Sequence, residues 1–252
     1  MSVRKVLAAV VLAVVAATGL SACSSASDPN VLKVGTEGTY APFSYQENGE
    51  LTGYDVEVAR AVGEKLGKRV EFVQTPWDSI FAGLESKRFD LVANQVTINP
   101  ERTAKYSLSQ PYTTSEGVIV TRADNTDITG LASLAGKTAA ETATSNWNRV
   151  AKDAGAKVEA VEGFVQAVQL LKAGRVDATI NDTLAVGEYT KKNGSADIKV
   201  AAKTGEVSKQ AFAARKDDAA LVADVDRALA ELAADGTLAR LSDKYFGTDV
   251  SK

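Results

Sequence analysis

The chain has 252 residues, 45% of them hydrophobic and 24% charged, with a formal net charge of −3. This is the balance of an ordinary globular protein, long enough for one large or two small domains. It holds no histidine and a single cysteine, which excludes Ser-His-Asp and Cys-His nucleophile pairs, histidine-ligated zinc and the commonest general base. No basic patch or Arg-rich run points to nucleic acid, so binding is favoured over chemistry, with no metal or cofactor expected.

Arg4 and Lys5 precede an apolar run from Val6 to Thr18, shorter than the roughly 20 residues of a spanning helix. The run ends in Leu20-Ser21-Ala22-Cys23. Residues 1–22 read as an export signal, and 23–30 as a flexible tether. The Leu-Ser-Ala-Cys ending resembles the lipobox of bacterial lipoproteins, which implies cleavage before Cys23 and lipidation of its thiol. A plain secretory signal cut near Ala22 is the alternative. Both readings export the protein, and lipidation places it at the extracellular or periplasmic face of the cell membrane.

The folded part begins with a short apolar strand, Val31–Thr36, and a loop, Glu37–Phe43, broken by Gly38 and Pro42. Ser44–Tyr54 reads as a hairpin turning at Asn48-Gly49. Asp55 is expected to cap a helix whose apolar face is Val58, Ala61, Val62 and Leu66, ended by Gly67. Val70–Val73 is the next strand, and Thr75 is expected to cap a helix carrying Ile80, Phe81 and Leu84. Asp90–Ala93 is a buried strand running into the polar tip Asn94–Thr97, and Asn99-Pro100 starts a short helix that carries Arg102. A guanidinium there can hold a carboxylate through two parallel hydrogen bonds.

Gly117–Thr121 reads as a strand crossing between lobes, and Lys137–Ala140 as a weak strand. The loop Glu141–Asn146 opens a helix over Trp147–Ala154, followed by a strand at Lys157–Val161. Phe164, Ala167, Val168 and Leu171 fall on one helical face, and Val176–Ile180 is a buried strand tipped by Asn181-Asp182. Separate strands are expected at Lys199-Val200 and Gln210–Ala214, then helices over Ala219–Ala234 and Thr237–Phe246. One pattern occurs twice: helix, basic turn, Asp, buried strand, polar tip, at Phe81–Gln95 and again at Val168–Asp182. Two α/β units of one plan suggest two lobes. Ligands of such sheets bind beyond the carboxyl ends of the strands, where the loops at 36–43, 94–97, 142–146 and 181–182 lie.

Several motifs together carry a family resemblance. They are Gly35–Phe43, Gly53-Tyr54-Asp55, Trp77-Asp78, Phe89-Asp90, Pro100-Glu101-Arg102, Tyr106–Tyr112, Asp235-Gly236-Thr237 and Lys244–Gly247. The chain resembles the extracellular solute-binding proteins of ABC importers for polar amino acids (bacterial solute-binding protein family 3). The resemblance implies an α/β fold of two lobes, each a sheet flanked by helices, joined by two hinge strands. It implies a first lobe over 31–115, a second over 116–210, and a return segment, 211–252, to the first.

It also implies roles. Arg102 takes the α-carboxylate of an amino acid, assisted by Thr97, Thr144 and Ser145. Asp182 takes the α-ammonium, helped by a carbonyl near Gln95, and Glu37, Tyr40, Phe43, Trp77 and Asn94 select the side chain. The partner implied is a membrane permease, and the state a monomer. The segments Ala93–Val96 and Thr144–Trp147 look most like those of cystine-binding members, while glutamine, glutamate and basic amino acids remain open.

Plainer roles stand beside these. Arg102 could pair on the surface with Glu101, Asp182 could be only a helix cap, and Trp77, Tyr40 and Phe43 could be core. Asn94 could serve backbone groups at its strand end. Two other functions stay open. A dehydratase-type enzyme on a similar fold would need Glu37 or Glu141 as its acid or base, and a ligand-sensing domain would need a signalling module.

Overall fold

The computed structural model describes residues 28–252; the export signal, Cys23 and most of the tether lie outside the described residues. In chain order the first elements are β1 (Val31–Thr36), β2 (Thr39–Tyr40), β3 (Ser44–Glu47), β4 (Glu50–Thr52), α1 (Tyr54–Lys65), β5 (Arg69–Gln74), α2 (Trp77–Glu85), β6 (Leu91–Thr97), α3 (Pro100–Lys105), β7 (Tyr106–Leu108) and β8 (Thr113–Arg122). After a 3-10 turn at Leu131–Leu134 come β9 (Thr138–Glu141), α4 (Asn146–Asp153), β10 (Lys157–Ala160), α5 (Phe164–Lys172), β11 (Thr179–Asp182), α6 (Thr183–Asn193), β12 (Ile198–Arg215), α7 (Ala219–Ala234) and α8 (Thr237–Phe246). Among the described residues no helix is long and apolar enough to cross a membrane.

The fold is the mixed α/β, two-lobed one that the resemblance implies. In the first lobe β1 lies between the parallel strands β5 and β6. Its core packs Val58 and Val62 of α1 with Val225, Leu229 and Leu232 of α7. Full burial of each such side chain contributes about 1.5–3 kcal/mol. In the second lobe β9 and β10 pair in parallel. Here Ala167, Val168 and Leu171, the predicted face of α5, pack under Val118 and Val120 of β8.

Two long antiparallel strands join the lobes. β12 pairs with β8 from Ile198 to Gln210, and with β6 and β7 from Gln210 to Arg215. The expectation of two short strands in this stretch is therefore corrected: one 18-residue strand runs through both lobes, its register with β8 slipping between Lys203 and Val207. Polar positions such as Thr204 and Glu206 read as a break because burial alternates weakly there.

The repeated pattern has a structural counterpart. The carboxylate of Asp90 accepts the Lys33 N–H at 3.0 Å, and that of Asp177 accepts the Thr138 N–H at 2.8 Å. In each lobe the Asp before the inner strand ties down the start of a neighbouring strand. Two predicted helix caps differ. α1 is entered through Gly53 and α2 through Pro76, neither with a side-chain cap. Gly53 has φ +125°, and a Cβ there would lie 2.3 Å from the Phe43 carbonyl oxygen, so only glycine fits. That frees Asp55, in the first turn, for another task.

Candidate functional site

The four polar strand ends meet in one cleft between the lobes. Glu37, Thr39 and Tyr40 follow β1, and Asn94 and Gln95 lie in β6. Glu141, Thr142, Ser145 and Asn146 follow or end β9, and Asn181 and Asp182 end β11; Trp77 of α2 and Trp147 of α4 complete its walls. Tyr40 crosses the gap, its hydroxyl donating to Asn181 Oδ1 at 2.7 Å.

The cleft is acidic. Asp182 is buried, and Gln210 of β12 donates to it at 3.4 Å, as does Ser115 of β8 at closer range. Its holders thus sit on both crossing strands. Burial pushes its carboxyl up to about 6, against hydrogen bonds from Ser115, Trp147 and Tyr40 that favour the charge. Burial likewise raises Glu37 to about 7, opposed by the Asn94 amide and reinforced by the nearby Asp78 charge. Glu141, fully enclosed, is pushed well above the carboxylate range by burial, although it accepts the Ile180 N–H at 2.6 Å. Three carboxyl groups without a basic side chain among the lining residues favour a cationic group in the ligand.

The tip of β6 is built with care for geometry. Gln95 sits at φ +50°, a left-handed conformation uncommon outside glycine. Asp55 holds it there, accepting the Gln95 N–H at 2.7 Å and its side-chain amide at 2.6 Å. Burial raises Asp55 to about 7 despite those two bonds. Asn94 accepts the Glu37 N–H at 2.9 Å and the Thr36 hydroxyl at 3.1 Å, while its amide donates to the Glu37 carboxyl. The Gln95 side-chain oxygen Oε1 and the Trp77 indole N–H are buried without a partner among the described residues. Inside a cleft such groups are handles for a ligand.

Arg102 lies in a second cavity beside the first, facing Thr144, Ser145, Asn146 and Arg149 of the other lobe; Ser145 and Asn146 line both cavities. As the sequence predicts, Asn99 caps α3, accepting the Arg102 N–H at 2.8 Å with Pro100 in the first turn. The Arg102 guanidinium donates to the Thr97 carbonyl at 3.0 Å and stacks 5.0 Å from the Trp77 ring and 5.7 Å from that of Phe81. Burial lowers its pKa to about 10, with Glu101 opposing and Arg149 adding to the drop, so it stays charged at neutral pH. Arg102 is thus a buried cation rather than a surface partner of Glu101, which pairs instead with Lys105 at 3.1 Å.

Of the predicted residues, Glu37, Tyr40, Trp77, Asn94, Gln95, Ser145 and Asp182 line the first cavity, and Arg102, Thr144 and Ser145 the second. Thr97 stands between them, its hydroxyl 3.4 Å from Asn146 across the gap. Phe43 is placed elsewhere. Fully buried, it packs with Tyr54 and Leu91 in the first-lobe core, 5.0 Å behind the Tyr40 ring and 5.9 Å from Phe246. Its contacts are apolar on every side, so it supports Tyr40 rather than forming the wall.

Sequence reasoning passed over Asp55, Ser115, Asn146, Trp147, Asn181 and Gln210. Asn181 was legible as half of a polar strand tip, and Asn146 as part of the Thr-Ser-Asn loop. Nothing local marks Ser115 or Gln210.

A family model described as bacterial extracellular solute-binding proteins, family 3, matches residues 32–248. The L-cystine-binding protein TcyA of Bacillus subtilis is 52% identical over 231 residues, covering 91% of this chain and 86% of its own length. Among solved structures, the L-cystine solute receptor of Neisseria gonorrhoeae, in an unliganded open conformation, is 45% identical with a TM-score of 0.60, over 88% of this chain and 94% of the receptor. An ancestral arginine-binding protein bound to arginine is 37% identical with a TM-score of 0.81, over 86% of this chain and 99% of that one. The better superposition on the bound structure, despite its lower identity, agrees with the hydrogen bonds that span the lobes here. These relatives are binding proteins, not enzymes. The chain belongs to the bacterial extracellular solute-binding proteins, family 3.

Proposed function

We propose that the protein captures L-cystine between its two lobes, 31–115 with 211–252 and 116–210, and delivers it to the membrane permease of an ABC importer. It does so from a lipid anchor on Cys23. The observation that carries the ligand reading is the pairing of an acidic cleft with a buried guanidinium across a shared wall at Ser145 and Asn146. A zwitterion needs one anion and one cation at fixed separation. Arg102 would take the α-carboxylate, with Thr97, Thr144 and Ser145 beside it. Asp182 would take the α-ammonium, with a carbonyl near Gln95 or the free Gln95 side-chain oxygen in support. Tyr40, Trp77, Asn94 and Glu37 would meet the side chain.

Cystine is favoured by the 52% identity to a cystine-binding relative, and its second ammonium suits Glu37. A basic amino acid is the second reading, favoured by the same surplus of carboxyl groups. A thermal-shift screen of the mature protein against all amino acids and L-cystine tests the reading. L-cystine should give the largest rise in Tm, and no rise with any amino acid would reject it. For the anchor, Cys23→Ser should move the protein out of the membrane fraction; retention there would reject lipidation.

A further inference from the structure

One side chain binds the two lobes together without lining either cavity. Asp78, exposed in the first turn of α2, accepts three hydrogen bonds from the second lobe: the Ala143 N–H at 3.1 Å, the Thr144 N–H at 2.9 Å and the Thr144 hydroxyl at 2.7 Å. Its neighbour in sequence, Trp77, forms a wall of the acidic cleft and lies under Arg102. The loop that donates these bonds leads directly into Ser145, which caps α4 by accepting the Asn148 N–H at 3.1 Å. The carboxylate therefore fixes the one loop that lines both cavities, and it does so from the opposite lobe.

Such bonds exist only when the lobes are closed. A contact that exists in one state alone shifts the equilibrium toward that state, and ligand affinity follows the population of the competent form. Two other cross-lobe polar contacts, Tyr40 with Asn181 and Thr97 with Asn146, involve residues at the cavities themselves. Asp78 acts from outside them. Its charge also lies near enough to Glu37, on the same lobe, to add to the burial that favours that group's neutral form.

We infer that Asp78 is a positioning residue: a latch that holds the 142–146 loop against the first lobe and strengthens the binding of every ligand the cleft accepts, without choosing among them. The inference rests on the cleft binding an amino acid. Because the bonds are exposed to water, the effect expected of Asp78→Ala is a Kd raised about tenfold (~1.4 kcal/mol), carried by faster release.

Isothermal titration of L-cystine and L-arginine into wild type, Asp78→Ala, Asp78→Asn, Thr144→Ala and the Asp78→Ala/Thr144→Ala double variant tests it. The latch predicts an equal factor of loss for each ligand that binds and partial rescue by Asp78→Asn, which keeps one oxygen acceptor. It also predicts that Thr144→Ala costs less in the Asp78→Ala background than in wild type, because the Asp78–Thr144 hydroxyl bond is already lost there. An unchanged Kd overturns it. Tighter binding overturns it too, since Asp78 would then be a competitor for the loop donors. Loss confined to one ligand would make Asp78 a selectivity contact instead. If wild type binds neither amino acid, the functional reading fails, and small-angle scattering of the ligand-free proteins decides the latch. A larger radius of gyration for Asp78→Ala supports it, and an equal one refutes it.

Discussion

The two cavities on either side of Ser145 and Asn146 are opposites. One gathers Glu37, Glu141 and Asp182 with no basic residue in its wall; the other sets Arg102 against Arg149 and Lys105 with one acid, Glu101. Burial acts on both in the same sense, raising the carboxyl groups and lowering the guanidinium, so each cavity is a place where charge is costly until a counter-charge arrives. A molecule that carries both charges a few ångströms apart relieves both at once. On the proposed reading, selectivity for amino acids rests on that separation rather than on any single contact.

The guanidinium side is the easier to break. Arg102→Ala should weaken amino-acid binding by ~2–5 kcal/mol, read as a Kd by titration; near-wild-type affinity would remove the carboxylate role. Asp182→Asn probes the acidic side. It retains hydrogen-bond geometry but loses the charge, and should cost ~1.5–3 kcal/mol, with the largest loss for ligands bearing a free α-ammonium. Equal loss for N-acetylated ligands would assign Asp182 to the fold.

The acidic side also carries a pH signature that the other lacks. With Asp182 at about 6, binding of an ammonium should be level above pH 7 and weaken as pH falls through 6. Stability of the ligand-free protein runs the other way. The carboxyls of Glu37, Asp55 and Asp182 are raised above their unfolded values near 4, so their contribution is fullest below pH 4 and is lost as pH rises through 6 to 7. The ligand-induced rise in Tm should therefore be greater at pH 8 than at pH 5. A flat profile would mean the cleft holds no cation. The smallest effect marks the limit of the cavity. Phe43→Leu should cost less than about 1.5 kcal/mol of stability and leave Kd and ligand ranking unchanged; a changed ranking would return Phe43 to the wall.

The sequence carried the parts whose causes are local. α7 and α8 have the predicted limits, Ala219–Ala234 and Thr237–Phe246, with Gly236 left-handed between them. The Asn99 cap follows from the Asn-Pro step, and the doubled Asp-strand-tip pattern marked both lobes. What stayed hidden depends on partners far along the chain. Asp55 reads as a helix cap until its bonds to Gln95 are seen, 40 residues away. Phe43 and Tyr40 are indistinguishable as aromatic loop residues, yet one faces the cleft and the other Phe246. Ser115 and Gln210 hold Asp182 only because the crossing strands bring both to the end of β11. Asp78 gains its role from a loop 65 residues on.

One zwitterion spanning the two cavities is what joins these predictions. A crystal structure of the complex with L-cystine tests it most directly. In that complex an α-carboxylate is expected within hydrogen-bonding distance of the Arg102 guanidinium and an α-ammonium on the Asp182 carboxylate, with the lobes closed and Asp78 on the 142–146 loop. A cystine whose carboxylate lies away from Arg102, or whose ammonium leaves Asp182 bonded only to Ser115 and Gln210, would contradict it.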